Sequence, residues 1–257
     1  MMSRRSAVPV FLSFAFAYFF STLVRAVTAT LAPELSAELG LSAGDLGLLA
    51  GAYFLGFAAM QLPLGSALDR HGPRRVLLVL LGVAVLGCAA FAMARHFVAL
   101  TLARALIGIG VSACLMAPLT AFRHSFEPHA QLRANSWMLM SGSLGMVAST
   151  LPVQWMMPVL GWRGLFWLIA VLLTVSMAAI VACVPNDVRS RTSVSRTVGY
   201  ADVWRQRTLL RFAPMAFFHY GGMIAVQSLW AGPWLVRVCG WTPAQAAAGL
   251  FAINLSM

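Results

Sequence analysis

Stretches of about twenty apolar residues recur along the whole chain, each long enough to cross a ~30 Å hydrocarbon layer as a helix. They fall at 8–32, 44–66, 75–94, 97–121, 133–157, 164–184 and 210–235, and an eighth starts near Ala244 and is cut off at Met257. Lipid offers no water to backbone N–H and C=O groups, so each stretch must close its own hydrogen bonds as an α-helix. A soluble fold is excluded by the residue balance. The chain is 60% hydrophobic and 10% charged, with mean hydropathy +0.82, whereas soluble domains carry roughly 25% charged residues. The expected fold class is therefore all-α, a polytopic membrane helix bundle in a lipid bilayer. A chain that stops inside an apolar helix leaves such a bundle incomplete, so a longer protein is expected.

All 18 basic residues are arginine, and the net charge is +11. In a soluble protein this would suggest nucleic acid, but here the arginines cluster in the short segments between apolar runs, so no nucleic-acid partner is expected. With the N-terminus cytoplasmic, the inner segments hold Arg4, Arg5, Arg70, Arg74, Arg75, Arg123, Arg133, Arg189, Arg191, Arg196, Arg205, Arg207 and Arg211. The outer segments hold Arg95, Arg163 and Arg237. Positive charge accumulates on the cytoplasmic side of membrane proteins, which predicts a multi-pass protein of the cell inner membrane with its N-terminus inside. Trp155, Trp162, Trp234 and Trp241 then fall near the outer interface. Arg4 and Arg5 before an apolar run also suit a secretory signal. Polar Ser21, Thr22 and Arg25 interrupt that run and no small-residue cleavage site follows, so a retained span is expected. Cys88, Cys114, Cys183 and Cys239 are scattered without metal-ligand spacing, and no metal or cofactor is expected.

Three segments follow from this pattern: a six-span domain over 1–185, a cytoplasmic linker over 186–209, and the start of a second domain over 210–257. Span one is expected to end at Pro33, opening a loop with Glu34, Glu38 and Asp45. Span two is expected to end in a tight polar turn from Gly65 to Arg75. The chain also resembles itself at an offset of 200 residues: Ala32-Pro33-Glu34-Leu35 corresponds to Gly232-Pro233-Trp234-Leu235, and Gly40-Leu41-Ser42 to Gly240-Trp241-Thr242. In each copy a hydroxyl residue is placed to cap the next helix. Six intervening spans preserve orientation, as in transporters built from parallel duplicated halves.

The segment Gly65-x-x-x-Asp69-Arg70-x-Gly72-x-Arg74-Arg75-x-Leu77, between spans two and three, resembles the signature loop of the major facilitator superfamily. It departs at Ala67, where leucine is usual, and at Pro73, where a basic residue is usual. Leu100-x-x-x-Arg104-x-x-x-Gly108-x-Gly110 in span four and Gly161-Trp162-Arg163 before span six resemble further parts of that superfamily. The resemblance implies secondary transport of a small solute by alternating access. It implies a cytoplasmic gate at Gly65, Asp69, Arg70, Gly72, Arg74 and Arg75, whose charge network latches the two halves. For Arg104, with Gly108 and Gly110, it implies proton coupling or helix packing. The missing C-terminal half of the same transporter would complete the cavity.

Two arginines, Arg25 and Arg104, fall inside apolar spans, at a cost of roughly 2.5–3.5 kcal/mol each when central and unpaired. Each must therefore face protein or a water-filled cavity. Tyr18, Ser21, Thr22, Arg25 and Thr28 recur at spacings of three and four and share one face of a helix. That stripe is expected to line a water-filled path, with Tyr53 and Gln61 across the cavity and Arg104 close by. No aspartate or glutamate stands in the core of a span. The arginine then meets an anionic substrate or an acid of the missing half; snorkelling to the interface is the third option. Arg25 and Pro33 also resemble the first span of the superfamily's anion:cation symporters, although Val24 replaces the usual acid. The preferred substrate is an organic anion, with protons as the driving ion.

Span five has Gly142, Gly145 and Pro152 but lacks the glycine–proline pair that resembles drug–proton exporters, which makes export the alternative. In span seven Ala225 stands at the repeat position of Arg25, so the site is expected to be asymmetric. An intramembrane enzyme would need a nucleophile–base pair or metal ligands, and none is spaced for that. A seven-helix receptor would place the N-terminus outside, against the arginine distribution.

Overall fold

A computed structural model describes residues 4–185, 206–226 and 230–255. The expected linker lies almost wholly outside the described residues. Among the described residues the chain forms α1 (Arg4–Leu39), α2 (Ala43–His71), α3 (Pro73–Met93), α4 (Phe97–Val111) and α5 (Ala113–Ser125). These are followed by α6 (Pro128–Ala148), α7 (Leu151–Cys183), α8 (Arg207–Ala225), α9 (Ala231–Arg237) and α10 (Pro243–Leu255), with no strand. Apolar stretches long enough to cross a membrane are Val8–Leu39, Ala43–His71, Pro73–Met93, Phe97–Arg123 and Leu151–Cys183.

Three expected boundaries change. First, α1 does not stop at Pro33 but runs two turns further, to Leu39. A proline removes one donor, so only the Ala29 carbonyl loses its helical partner while the rest of the ladder holds. The break comes instead at Gly40, whose φ of 65° ends the helix. Second, the polar turn after span two is mostly helix. α2 continues through Asp69 and Arg70 to His71, and the turn shrinks to Gly72, with φ 80° and ψ 156°. That left-handed φ suits glycine alone, and Pro73 opens α3 directly, its fixed φ suited to a first helical position. Third, the expected fifth and sixth spans are cut differently. α6 ends at Ser149–Thr150, while α7 runs on past a non-helical Gly161 (φ 61°, ψ 174°) into the expected sixth span.

The repeat is visible in three dimensions. Gly240 has φ 68°, close to the 65° of Gly40. Ser42 and Asp45 form a reciprocal capping box at the start of α2. Thr242 and Gln245 do the same before α10: the Gln245 N–H donates to Thr242 Oγ1 at 3.3 Å, and Gln245 Oε1 accepts from the Thr242 N–H at 2.9 Å.

In the packed bundle α4 lies between α2 and α3, and α1 lies against α6 and α7. Glycines set these distances. A β-carbon at Gly108 would stand 2.1 Å from the Tyr53 carbonyl oxygen of α2, and one at Gly110 would stand 2.2 Å from the Ala84 nitrogen of α3. Lipid tails are as apolar as the side chains, so close backbone approach supplies the packing that a hydrophobic drive supplies in water. Large apolar side chains such as Leu55, Val79, Leu86 and Trp155 are exposed, as a lipid-facing surface requires. At the end where α1 finishes, α9 packs on α1, and α10 on α6 and α7. α8, by contrast, is almost entirely exposed.

Candidate functional site

α1 runs through the middle of the bundle, and its polar stripe is divided among its neighbours. Thr22 Oγ1 donates to the Gly142 carbonyl of α6 at 2.8 Å, and the Tyr18 ring packs where a Gly142 β-carbon would be 2.4 Å away. Further along the same seam Ser141 Oγ donates to the Ala15 carbonyl at 2.9 Å, and Thr30 Oγ1 to the Ser149 carbonyl at 2.8 Å. Ser21 is 1% exposed. Of the stripe expected to line a water-filled path, Tyr18, Ser21, Thr22 and Thr28 are buried side chains in this structure. A hydroxyl on a membrane helix can donate to a neighbouring helix's carbonyl, so helical periodicity cannot tell a seam from a channel wall.

The other face of α1 meets α4. Arg104 is 1% exposed, and its Nη1 donates to the Val24 carbonyl at 3.1 Å. Its Nη2 donates to Thr28 Oγ1. The guanidinium lies 5.1 Å from the Tyr53 ring centroid and 6.0 Å from that of Phe91, while Nε is buried without a hydrogen-bond partner. Among the described residues no carboxylate pairs with it; the charge is carried by a carbonyl, a hydroxyl and two aromatic faces, and cation–π contact is worth about 2 kcal/mol when desolvated. Gly108, one turn further along α4, lets Tyr53 come close enough to take part.

Arg25 stands near Tyr53 as well. It is half-buried, its guanidinium lies 5.7 Å from the Phe57 ring centroid, and both arginines act electrostatically on Tyr53. Arg25, Thr28, Tyr53 and Arg104 therefore form one cluster between α1, α2 and α4. Gln61, two turns beyond Tyr53, makes a long 3.5 Å contact from Nε2 to the Ser112 carbonyl, at the break between α4 and α5. Of the expected cavity residues, Arg25 and Gln61 are the two that are not sealed from solvent.

The gate motif lies at the opposite end of α2. Arg74 Nη2 donates to the Val181 carbonyl at 2.8 Å, a last-turn oxygen of α7 with no partner of its own helix. Among the described residues Asp69 makes no ion pair with Arg70, Arg74 or Arg75, and Asp69, Arg70 and Arg75 are exposed. Gly65, expected to allow close helix approach, has nothing within 4 Å of a β-carbon position.

Sequence reasoning missed a second polar cluster where α1 finishes. Glu38 pairs with Arg163 and accepts from Trp162 Nε1 at 2.5 Å, while Arg163 Nη2 donates to the Ala94 carbonyl that follows α3 at 3.2 Å. This ties the ends of α1, α3 and α7 together. Glu38 and the Gly161-Trp162-Arg163 corner were both visible in the sequence, 123 residues apart by number from Glu38 to Gly161, with nothing to pair them. Two crevices also flank the contact of α1 with α9. One, about 210 Å³, holds Thr30, Glu34 and Gln154; the other, about 220 Å³, holds Ser36, Trp230 and Arg237. Among the described residues no group of His, Cys, Asp and Glu could hold a metal ion.

A family model described as the Major Facilitator Superfamily matches residues 14–257. The probable L-galactonate transporter of Escherichia coli (strain K12) is 33% identical over 141 residues, covering 52% of this chain and 30% of that protein. The hexuronate transporter of Bacillus subtilis (strain 168) is 27% identical over 246 residues, covering 91% of this chain and 58% of that protein. The fold matches the crystal structure of a bacterial homolog to the human lysosomal transporter Spinster, in an inward-facing and unoccupied conformation. The TM-score is 0.79 at 18% identity, over 98% of this chain and 60% of that one. The chain thus spans less than two thirds of the length of each.

Proposed function

Given that the chain belongs to the major facilitator superfamily, a family of multi-pass membrane transporters rather than enzymes or receptors, we propose that it forms the first domain and the opening of the second in a transporter of small organic anions. Arg25 carries the reading. It is the arginine of the central cluster that is only half-buried, and the acids of α1 and α2 (Glu34, Glu38, Asp45 and Asp69) stand towards the ends of those helices. A half-buried guanidinium at that depth can bind a substrate carboxylate through paired N–H donors. Relatives named for galactonate and hexuronate, both sugar acids, support the class.

In this reading Arg104 positions α1 against α4 and keeps Tyr53 beside Arg25. Protons drive the cycle, the N-terminus is cytoplasmic in the inner membrane, and a second half supplies the facing wall of the cavity. The closed contact of α9 and α10 at one end, with α8 exposed towards the other, supports alternating access by rocking of two domains. The segment from Gly65 to Arg75 would latch the cytoplasmic mouth against that second half, which leaves Asp69 and Arg70 available in this conformation.

The test is uptake of labelled D-galacturonate into proteoliposomes by the transporter that carries this chain, with and without an inward proton gradient. Arg25→Ala should lower gradient-driven uptake at least tenfold. Uptake unchanged in Arg25→Ala, or confined to cationic compounds, would sink the anion reading and favour a proton-driven exporter.

A further inference from the structure

Resting on the organic-anion reading, we propose that Phe57 is a positioning residue for Arg25: its ring face is the seat that holds the Arg25 guanidinium in place for a substrate carboxylate. Four side chains of α1, α2 and α4 are linked in sequence. The Arg104 guanidinium lies 5.1 Å from the Tyr53 ring centroid, the Tyr53 and Phe57 rings stack at 6.3 Å and 19°, and the Arg25 guanidinium lies 5.7 Å from the Phe57 centroid. Each ring of the stacked pair thus carries one guanidinium. The two pairs differ in exposure. Arg104 and Tyr53 are 1% and 0% exposed, whereas Arg25 and Phe57 are both half-buried. The first pair belongs to the packed interior, and the second reaches its edge, where a solute can meet it.

Phe57 can serve as a seat because its backbone is fixed. A β-carbon at Gly56 would stand 2.3 Å from the Ala105 carbonyl oxygen, and one at Gly108 would stand 3.1 Å from the Phe57 nitrogen. α2 and α4 are therefore in backbone contact at residues 56 and 57, and Phe57 cannot shift without parting them. Tyr53, one turn earlier on the same face, stacks on its ring. Leu55, about 200° round the helix from Phe57, is exposed, while Phe57 packs against the core. A long arginine side chain loses rotamer freedom when it binds, and it can also reach for the membrane interface. A ring face attracts the cation through its quadrupole. It orders the side chain without using the in-plane N–H donors that pair with a carboxylate. The Tyr53 hydroxyl, on a side chain within electrostatic reach of Arg25, is the competing anchor, and a variant that removes it alone separates the two.

Uptake of labelled D-galacturonate is measured over a concentration series in proteoliposomes of the transporter that carries this chain, and each variant is melted without substrate. Phe57→Leu keeps the apolar packing and loses the ring face. It should raise KM about fivefold, the loss of one cation–π contact, with the maximal rate within about twofold of wild type. Phe57→Tyr keeps the ring face and should stay near the wild-type KM. Tyr53→Phe should leave KM unchanged. Phe57→Leu should lower the melting temperature less in an Arg25→Ala background than in wild type, because the contact it removes is already gone. A ring that only fills space would cost the same in both backgrounds, and that result overturns the seat. A KM in Phe57→Leu equal to wild type overturns it too, as does a fivefold rise in Tyr53→Phe. Uptake lost in Arg25→Ala but normal in Phe57→Leu leaves the organic-anion reading standing and removes the seat alone. If wild type takes up neither D-galacturonate nor L-galactonate, or if Arg25→Ala matches wild type, both fall together.

Discussion

Gly232 of α9 approaches Ala29 of α1 so closely that a β-carbon at residue 232 would lie 3.0 Å from the Ala29 carbonyl oxygen. That oxygen is the one Pro33 leaves without a helical donor, since its i+4 partner has no N–H. A proline in one helix thus exposes a carbonyl, and a glycine in the other lets a backbone close on it.

Closure at this end therefore depends on residue 232 being small. Gly232→Leu is expected to hold α9 away from α1, and Gly232→Ala to be nearly silent, because 3.0 Å is relieved by a shift of a few tenths of an ångström. Spin labels at exposed Ala37 and Val238 report the separation by electron–electron resonance. A distance distribution in Gly232→Leu that matches wild type would refute the contact as the closing element.

Arg104 joins α4 to α1 through two donors that leave the guanidinium in different directions. A lysine keeps the charge but cannot reach Val24 and Thr28 together with that fork. Arg104→Lys should cost about 1.5–3 kcal/mol, the range for a hydrogen bond involving a charged group, and lower the melting temperature by several degrees. Thr28→Val removes one acceptor and should cost less. Equal melting of Arg104→Lys and wild type in the same detergent would argue against the clamp.

Gly142 and Tyr18 form a close pair across α1 and α6, 2.4 Å from a would-be β-carbon to the ring. Gly142→Ala should overpack this seam by about 1–3 kcal/mol, and Tyr18→Ala in the same chain should recover part of the loss. Thermal unfolding of the two single variants and the double variant gives the coupling. Simple additivity would show that the two residues do not compete for space.

The Glu38–Arg163 pair is partly exposed, with side chains 46% and 38% accessible. On its own such a pair is worth about 0.2–1 kcal/mol. Arg163 also holds the Ala94 carbonyl, so Arg163→Ala should destabilise more than Glu38→Gln, whose amide oxygen can still accept from Trp162 Nε1. Added salt should narrow the gap between Glu38→Gln and wild type. The reverse order of the two variants in a melting series would contradict this.

Much of the fold was legible because membrane insertion imposes it residue by residue. Apolar runs longer than the bilayer is thick must be helices, and the Gly40 and Gly240 corners carried the same spacing to their hydroxyl caps in both copies. Boundaries were misread where a breaker meets a helix strong enough to carry it: Pro33 removes one hydrogen bond of a long ladder, and α1 continues. The stretch from Gly65 to His71 reads as a turn on its polarity, yet polar residues at a membrane surface are as comfortable in a helix as in a loop. The central cluster was half legible. Arg25 and Arg104 were conspicuous as charges among apolar neighbours, and Tyr53 was expected to stand with them.

By itself the sequence determined the solvent, the helical class, the repeat and the two intramembrane charges, because each follows from local composition or from spacing along one helix. Only the tertiary structure decided which neighbour covers each side of α1: Thr22 on α6, Thr28 under Arg104, and Arg25 left partly open towards Phe57. Helical periodicity places side chains on a face, but whether that face meets a carbonyl, a guanidinium or water is set by helices far away in sequence. The same reason put Glu38 on Arg163.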